Sequence, residues 1–253
     1  MKNAEHWKPT KYEYYNGRLY GSRDVNNVSV SSRLICDRVA NCYESALPNI
    51  ARGDLLDLGC GQAPLYHVYQ PLVDTVTCVD WPSSLHDIRF ADILCDVNSS
   101  IPIPDSSFDT IICSDVLEHL HSPSKTLLEI ARLLRPGGRL LLNVPFIYCL
   151  HEEPHDYFRY TKHGIQNLCN AAGLNVLQMH ELGGALDVLC DITAKQLAQF
   201  AAVGPPLASL HQFTWNCLRK INFFKSLDLR TAKIFPLEYF AIATLMSPKP
   251  INS

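Results

Sequence analysis

No two of the ten cysteines in this 253-residue chain stand in a C-x-x-C spacing, which argues against zinc ribbons and thioredoxin-like redox motifs. Several, such as Cys78 in TVTCVD and Cys113 in TIICSD, sit inside apolar runs. They read as small buried hydrophobes of a reducing compartment. There is no basic excess: Lys and Arg number 22 against 25 Asp and Glu, for a net charge of −3. That balance argues against a general nucleic-acid binder, though not against a local basic groove. No uncharged apolar run reaches the ~18–20 residues needed to span a bilayer. The opening stretch MKNAEHWKPTKYEYYNGRLYG has no apolar signal-peptide core, so a cytoplasmic protein is expected. Repeats and low-complexity tracts are absent. What remains is a globular composition, 47% hydrophobic and 19% charged, on a chain long enough for one sizeable core.

Residues 1–30, rich in Tyr, Asn and Lys, read as a partly ordered N-terminal arm. Tyr12, Tyr14, Tyr15 and Tyr20 would serve as a lid or as a packing strap. Residues 31–253 read as one domain. Apolar residues at helical spacing mark a helix over 32–47, ended by Pro48. Strands are expected at Asp54–Leu58, Thr75–Asp80, Arg89–Ala91, Asp109–Ser114, Arg139–Val144, Leu174–His180 and Tyr239–Met246, with helices at Ser122–Leu134 and Thr161–Ala172. Such alternation predicts an α/β fold, a largely parallel sheet with helices on both faces. Residues 185–235 break the rhythm with two helical stretches around Gly204-Pro205-Pro206 and read as a helical insertion before the last strand. Residues 247–253 (SPKPINS) read as a frayed tail.

The strongest signal is Leu55-Leu56-Asp57-Leu58-Gly59-Cys60-Gly61. A strand runs into a glycine turn at the carboxyl edge of the sheet, where a ligand approaches backbone that a Cβ would block. About twenty residues on, the next strand ends in Asp80, placed to accept both ribose hydroxyls of an adenosine. A dinucleotide site would want a third glycine, and here the run is Gly59-Cys60-Gly61-Gln62-Ala63-Pro64. Asp57 would repel a phosphate but suit a cationic amino group. An NAD-dependent oxidoreductase is therefore the weaker reading, and a bare structural turn is the bland one.

Read in order, the blocks LDLGCG, Cys78-Val79-Asp80, Ile101–Asp109 (IPIPDSSFD), Cys113–Leu120 (CSDVLEHL) and Leu133–Leu140 (LLRPGGRL) resemble the class I S-adenosylmethionine-dependent methyltransferases. The resemblance covers roughly residues 53–145. It implies a Rossmann-like doubly wound, mostly parallel seven-stranded sheet and S-adenosylmethionine as cofactor. By position it implies that Asp57, Gly59 and Gly61 face the methionine part, Asp80 binds ribose and Trp81 lies against adenine. It also implies that Asp96, rather than Asp92, accepts from the adenine amino group, and that Ser114 and Val116 line the cofactor.

Methyl transfer needs orientation, exclusion of water and, for a hydroxyl acceptor, a base. Two clusters qualify. One is Asp115–His121 (DVLEHLH), with His119 as a possible catalytic group. The other is His151–Thr161 (HEEPHDYFRYT), similar to a loop of methyltransferases associated with sugar, polysaccharide or lipid-linked acceptors. A His155–Asp156 pair would serve as general base. The bland reading of the same loop pairs Arg159 with Asp156 and makes Thr161 an N-cap. Asp115, Glu118 and His119 have i, i+3, i+4 spacing. On one helical turn, joined by His151 or His155, they would offer a mixed oxygen and nitrogen metal site, as similar segments do in metal-dependent methyltransferases; Asp115 stands where those have Glu, and the expected reading is a site without metal in which His119 contacts the cofactor. The basic run Arg219–Lys225 reads as a membrane-touching patch or as a solvated helix end. The expected activity is O-methylation of a small-molecule, carbohydrate or lipid-linked acceptor, against a noncatalytic S-adenosylmethionine-binding protein.

Overall fold

The structure, a computed structural model, describes residues 1–246; the expected tail at 247–253 lies outside the described residues. The N-terminal arm is more ordered than its composition suggests. Strands β1 (Tyr12–Tyr15) and β2 (Arg18–Gly21) form a hairpin. Its turn is Asn16-Gly17, both at positive φ, as a two-residue hairpin requires. The hairpin lies on α1 (Arg33–Ile50), where Glu44 accepts from Leu19 N and Asp37 from Gly21 N. Tyr12 and Leu19 are buried beneath it. Pro48 does not end α1 as expected. The helix runs two residues further, to Ile50; the bond that a residue-48 N–H would give Glu44 O is forgone, and buried Leu47 anchors that turn.

Next come β3 (Asp54–Leu58), α2 (Tyr66–Tyr69) and β4 (Thr75–Asp80). The strand expected at Arg89–Ala91 lies instead at β5 (Ile93–Leu94), pairing with Val79 and Asp80. Asp92 accepts from Cys78 N at 2.7 Å and closes the loop before it. Then follow β6 (Phe108–Ser114), a 3-10 turn at Leu117–His119, α3 (Pro123–Leu133) and β7 (Leu134–Pro145). Pro136-Gly137-Gly138 forms a bulge inside the β6–β7 pairing rather than a break. The chain continues through α4 (Lys162–Ala171), β8 (Leu174–Leu182), α5 (Ala185–Ala198), α6 (Gly204–Leu218), α7 (Asn222–Ala232) and β9 (Glu238–Leu245). The insertion thus holds three helices rather than two. Pro205 and Pro206 start α6, because the first turn of a helix needs no backbone donors.

The seven-stranded sheet has the order β5-β4-β3-β6-β7-β9-β8, parallel except for β9, which runs antiparallel to both neighbours. This reversed last strand departs from the two parallel halves of a dinucleotide-binding sheet. One face packs Leu56, Ile111 and Leu142 against Leu127 and Ile130 of α3 and Ile165 of α4. The other packs Leu55, Ile112 and Leu141 against Ile35, Val39 and Tyr43 of α1. The alternation follows from the period of two along a strand buried on both sides.

One buried polar cluster ties the insertion to α1. Arg38 donates to Asp187 of α5 and, at 3.4 Å, to Asp228 of α7. Trp215 Nε1 of α6 donates to the same Asp187 at 2.6 Å. The Arg38 guanidinium thus joins α5 and α7 to the sheet-packed helix, and Asp187 carries the link on to α6.

Candidate functional site

Strand order reverses between β3 and β6, so a crevice opens at their carboxyl ends, where ligands bind in open α/β sheets. A cavity of about 640 Å³ lies there, within the usual range for small-molecule sites. Gly59, at φ +74°, forms its floor, and a Cβ there would overlap the Val116 side chain. The backbone therefore turns closely under Val116 only because residue 59 is glycine.

Asp80, almost fully buried, pins this bend from the end of β4. Its Oδ2 accepts from Gly61 N at 2.5 Å and its Oδ1 from Trp81 N at 2.6 Å. Each carboxylate oxygen has further acceptor capacity. Trp81 is partly exposed on the cavity wall and meets the His155 ring edge-on at 5.0 Å. Asp96 lines the cavity and uses Oδ1 to accept from Asn98 N and Nδ2. Asp92 lines no part of it and is occupied by Cys78 N and the chain's amino terminus. Ser114, Val116 and Gly61 also line the cavity. Asp57 does not. It lies buried beneath the bend and accepts from the Tyr69 hydroxyl at 2.8 Å. Burial pushes its carboxyl up to about 7, partly offset by that hydrogen bond and reinforced by Asp80. It therefore lies one layer behind the surface that the methionine part is expected to meet.

The far wall gathers histidines and acids. The segment after β6 is not the helical turn expected for Asp115, Glu118 and His119. Asp115 sits at φ +57° and Leu117–His119 form a 3-10 turn, which separates Asp115 from the other two. Asp115 pairs with Lys11 Nζ at 3.1 Å and accepts from Asn143 Nδ2 at 2.6 Å. Asn143 also donates to buried Glu238, whose carboxyl is pushed up to about 8 by burial and by Asp115.

His119 Nδ1 lies 2.6 Å from the carbonyl of His155. A carbonyl only accepts, so Nδ1 carries a proton and Nε2 is the ring nitrogen that can offer a lone pair. That nitrogen is 3.7 Å from Glu118 Oε1 and 3.7 Å from Glu152 Oε2. Glu118 is 1% exposed, and among the described residues no side chain donates a hydrogen bond to its carboxylate oxygens. Burial and Asp115 raise its carboxyl well above the usual range. His151 Nε2 is 3.9 Å from Glu118 Oε1, and burial and His119 lower the His151 imidazole. The expected His155–Asp156 dyad does not form. Asp156 instead takes Arg159 in a two-pronged pair and accepts from His151 N at 2.9 Å. His155 Nδ1 meets the Tyr157 hydroxyl at 2.9 Å. The loop side chains of consecutive residues point apart, so the acid serves His151 rather than His155. Thr161 caps α4 by accepting from Gly164 N at 3.1 Å.

Sequence reasoning missed Lys11, Asn26, Asn27, His86, Glu152 and Glu238, all of which line the cavity. They come from the arm, two loops and the last strand. The acidic loop 151–156 was the only local signal among them. Asp115 and Glu152, both non-glycine residues at positive φ, show the backbone strain that clusters at functional sites.

Residues 31–179 match a family described as a methyltransferase domain. The chain belongs to this family. Its cosubstrate is S-adenosylmethionine, and the glycine bend with Asp80 opposite fits such a nucleoside. Over 114 residues the chain is 32% identical to a ubiquinone biosynthesis O-methyltransferase of Xanthomonas oryzae, covering 40% of this chain and 46% of that protein. Over 149 residues it is 36% identical to a thiol S-methyltransferase of Mus musculus, covering 53% and 59%. The match thus spans about half the length of these curated relatives. A putative methyltransferase from Bacillus halodurans shares the fold at TM-score 0.53 and 13% identity, covering 81% of this chain and 98% of that one.

Proposed function

We propose that the protein transfers a methyl group from S-adenosylmethionine to a hydroxyl of a small-molecule, carbohydrate or lipid-linked acceptor. The observation that carries this reading is one cavity with the Gly59–Gly61 bend and Asp80 on one side and His119, His151 and His155 on the other. When bound, S-adenosylmethionine supplies an electrophilic methyl on a sulfonium, so the protein's work is binding, orientation and proton removal. Asp80 retains lone pairs for the ribose hydroxyls, Trp81 lies beside the adenine, and Asp96 keeps Oδ2 for the adenine amino group. Gly59, Gly61, Ser114 and Val116 form the surface against which the cofactor lies. His119 takes the acceptor's proton at Nε2, and the nearby Glu152 carboxylate, held low by His86 and His119, favours the imidazolium that forms. His155 holds His119 through its carbonyl, and Asp156 positions His151. The relatives act through oxygen and sulfur acceptors by name, so oxygen is a reading of this site's base. Ten cysteines without a disulfide fit a cytoplasmic location. No helix among the described residues is long and apolar enough to cross a membrane.

A second reading is favoured by Glu118. Ligand atoms of Glu118, His119 and His151 lie within 4.8 Å of one another, and a buried carboxylate to which no described side chain donates invites a cation. The mixed nitrogen and oxygen set fits a divalent transition metal, with His155 O and Asp156 as outer partners of the two imidazoles. Such an ion would polarise the acceptor oxygen. Asp115 is held elsewhere and His155 presents its carbonyl, so neither joins the set. The experiment is methyl transfer from labelled S-adenosylmethionine to a panel of hydroxyl, thiol and amine acceptors, with metal content measured on the purified protein. Label on oxygen, with activity indifferent to chelators, supports the base reading. Stoichiometric metal whose removal abolishes transfer supports the second. Cofactor binding with no labelled product would leave a noncatalytic binder and refute both.

A further inference from the structure

The helical insertion carries features that the cavity does not use. On α6, Leu207 and Leu210 continue a stripe that begins at Val203, one residue before the helix, and Phe213 flanks it. All four are exposed, Phe213 at 66%. Around α7, Phe223, Leu227 and Ile234 repeat the pattern, Phe223 at 69%. A soluble monomer rarely leaves apolar area of this extent uncovered. The charge on the same unit is one-sided. Between residues 200 and 235 the sole acid is Asp228, buried against Arg38, while Lys220, Lys225, Arg230 and Lys233 are exposed. The chain as a whole carries −3. A shallow depression of about 680 Å³ brings Lys225, Arg230 and Lys233 together with Asn222 and Ser226.

We propose that α6 and α7 form an interfacial docking surface for an anionic phospholipid bilayer, with the Lys225–Arg230–Lys233 depression receiving a lipid phosphate. Apolar side chains flanked by cations suit the boundary between acyl chains and anionic headgroups. A second copy of this chain is a poorer occupant, because a two-fold contact would set these cations against themselves. The surface is not remote from the cavity. Gln212 Nε2 of α6 donates to Ser31 O at 3.0 Å, and Ser29 and Ser32 on either side of Ser31 line the cavity wall. Docking therefore bears on the wall that an acceptor would meet, whatever that acceptor is.

The test is flotation of the full chain with phosphatidylcholine vesicles, with and without phosphatidylglycerol. The wild type is expected to float only with phosphatidylglycerol. The combined substitutions Lys225→Glu, Arg230→Glu and Lys233→Glu should lower partitioning at least about tenfold. A separate variant with Phe213→Ser, Phe223→Ser and Ile234→Ser should also lose most binding with its charges intact. Both variants should keep wild-type affinity for S-adenosylmethionine, which shows that they fold. Absence of flotation overturns the proposal, as does flotation indifferent to the apolar substitutions, which would be surface adsorption alone. A wild-type dimer that the serine variant converts to monomer would make the face a self-interface and overturn it equally.

Discussion

Replacing Asp80 with Asn probes the pocket at its most constrained atom pair. In the native protein both carboxylate oxygens accept backbone N–H groups, from Gly61 at 2.5 Å and Trp81 at 2.6 Å. Asn has one oxygen and one NH2. It satisfies one of these donors and turns an N–H toward the other. Hydrogen bonds to a charged group contribute roughly 1.5–3 kcal/mol each. One is lost in the free protein, so unfolding free energy should fall by about 1.5–3 kcal/mol. The bound state loses a further charge-assisted bond to a ribose hydroxyl. At ~1.4 kcal/mol per decade, S-adenosylmethionine should bind about ten- to a hundredfold more weakly. Calorimetric titration gives the affinity, and urea unfolding gives the stability. A destabilised variant that binds the cofactor as tightly as wild type would refute the argument, because Asp80 would then hold the bend without touching the ligand.

Arg38→Met leaves Asp187 and Asp228 buried without their cation; a loss of about 3 kcal/mol is expected in urea unfolding, and a loss below about 1 kcal/mol would contradict the staple. Asp57 has a folded-state carboxyl near 7 against ~3.9 unfolded. The folded state therefore holds a proton that the unfolded chain has released, and this contribution is complete below ~4 and lost as pH rises through 7. Asp57→Asn keeps an acceptor for the Tyr69 hydroxyl. Wild type should lose up to about 4 kcal/mol relative to this variant between those pH values, and parallel stability–pH curves would disprove the shift. His119→Gln should lower methyl transfer by roughly 10²–10⁴-fold with cofactor affinity nearly constant; undiminished transfer would remove His119 from the chemistry.

Much of the sheet was legible because its central strands are buried on both faces and read as near-continuous apolar runs, as in TIICS and RLLLNV. The two-residue β5 was misplaced because a strand so short has no pattern of its own. Phe90 and Ala91, which suggested it, are buried in the preceding turn. The glycine bend was legible from Gly59 and Gly61, whose positive φ no other residue adopts freely. Which carboxylate meets which imidazole was not. In loop 151–156 the direction of each side chain depends on local backbone angles, including positive φ at Glu152, that no periodicity encodes. The Arg38 cluster was equally hidden, since it joins residues 149 and 190 positions apart. The arm's tyrosines pointed both ways, and the fold divides them. Tyr12 is buried as packing on the cavity wall, whereas Tyr14 and Tyr15 stay exposed.

The most direct measurement is a pair of calorimetric titrations of the wild-type protein, one with S-adenosylmethionine and one with NADH. A sulfonium nucleoside should saturate a single site per chain and the dinucleotide should give no heat of binding, because the bend lacks the third glycine that lets a pyrophosphate approach. Tight NADH binding, or no uptake of S-adenosylmethionine, would contradict the assignment of this cavity.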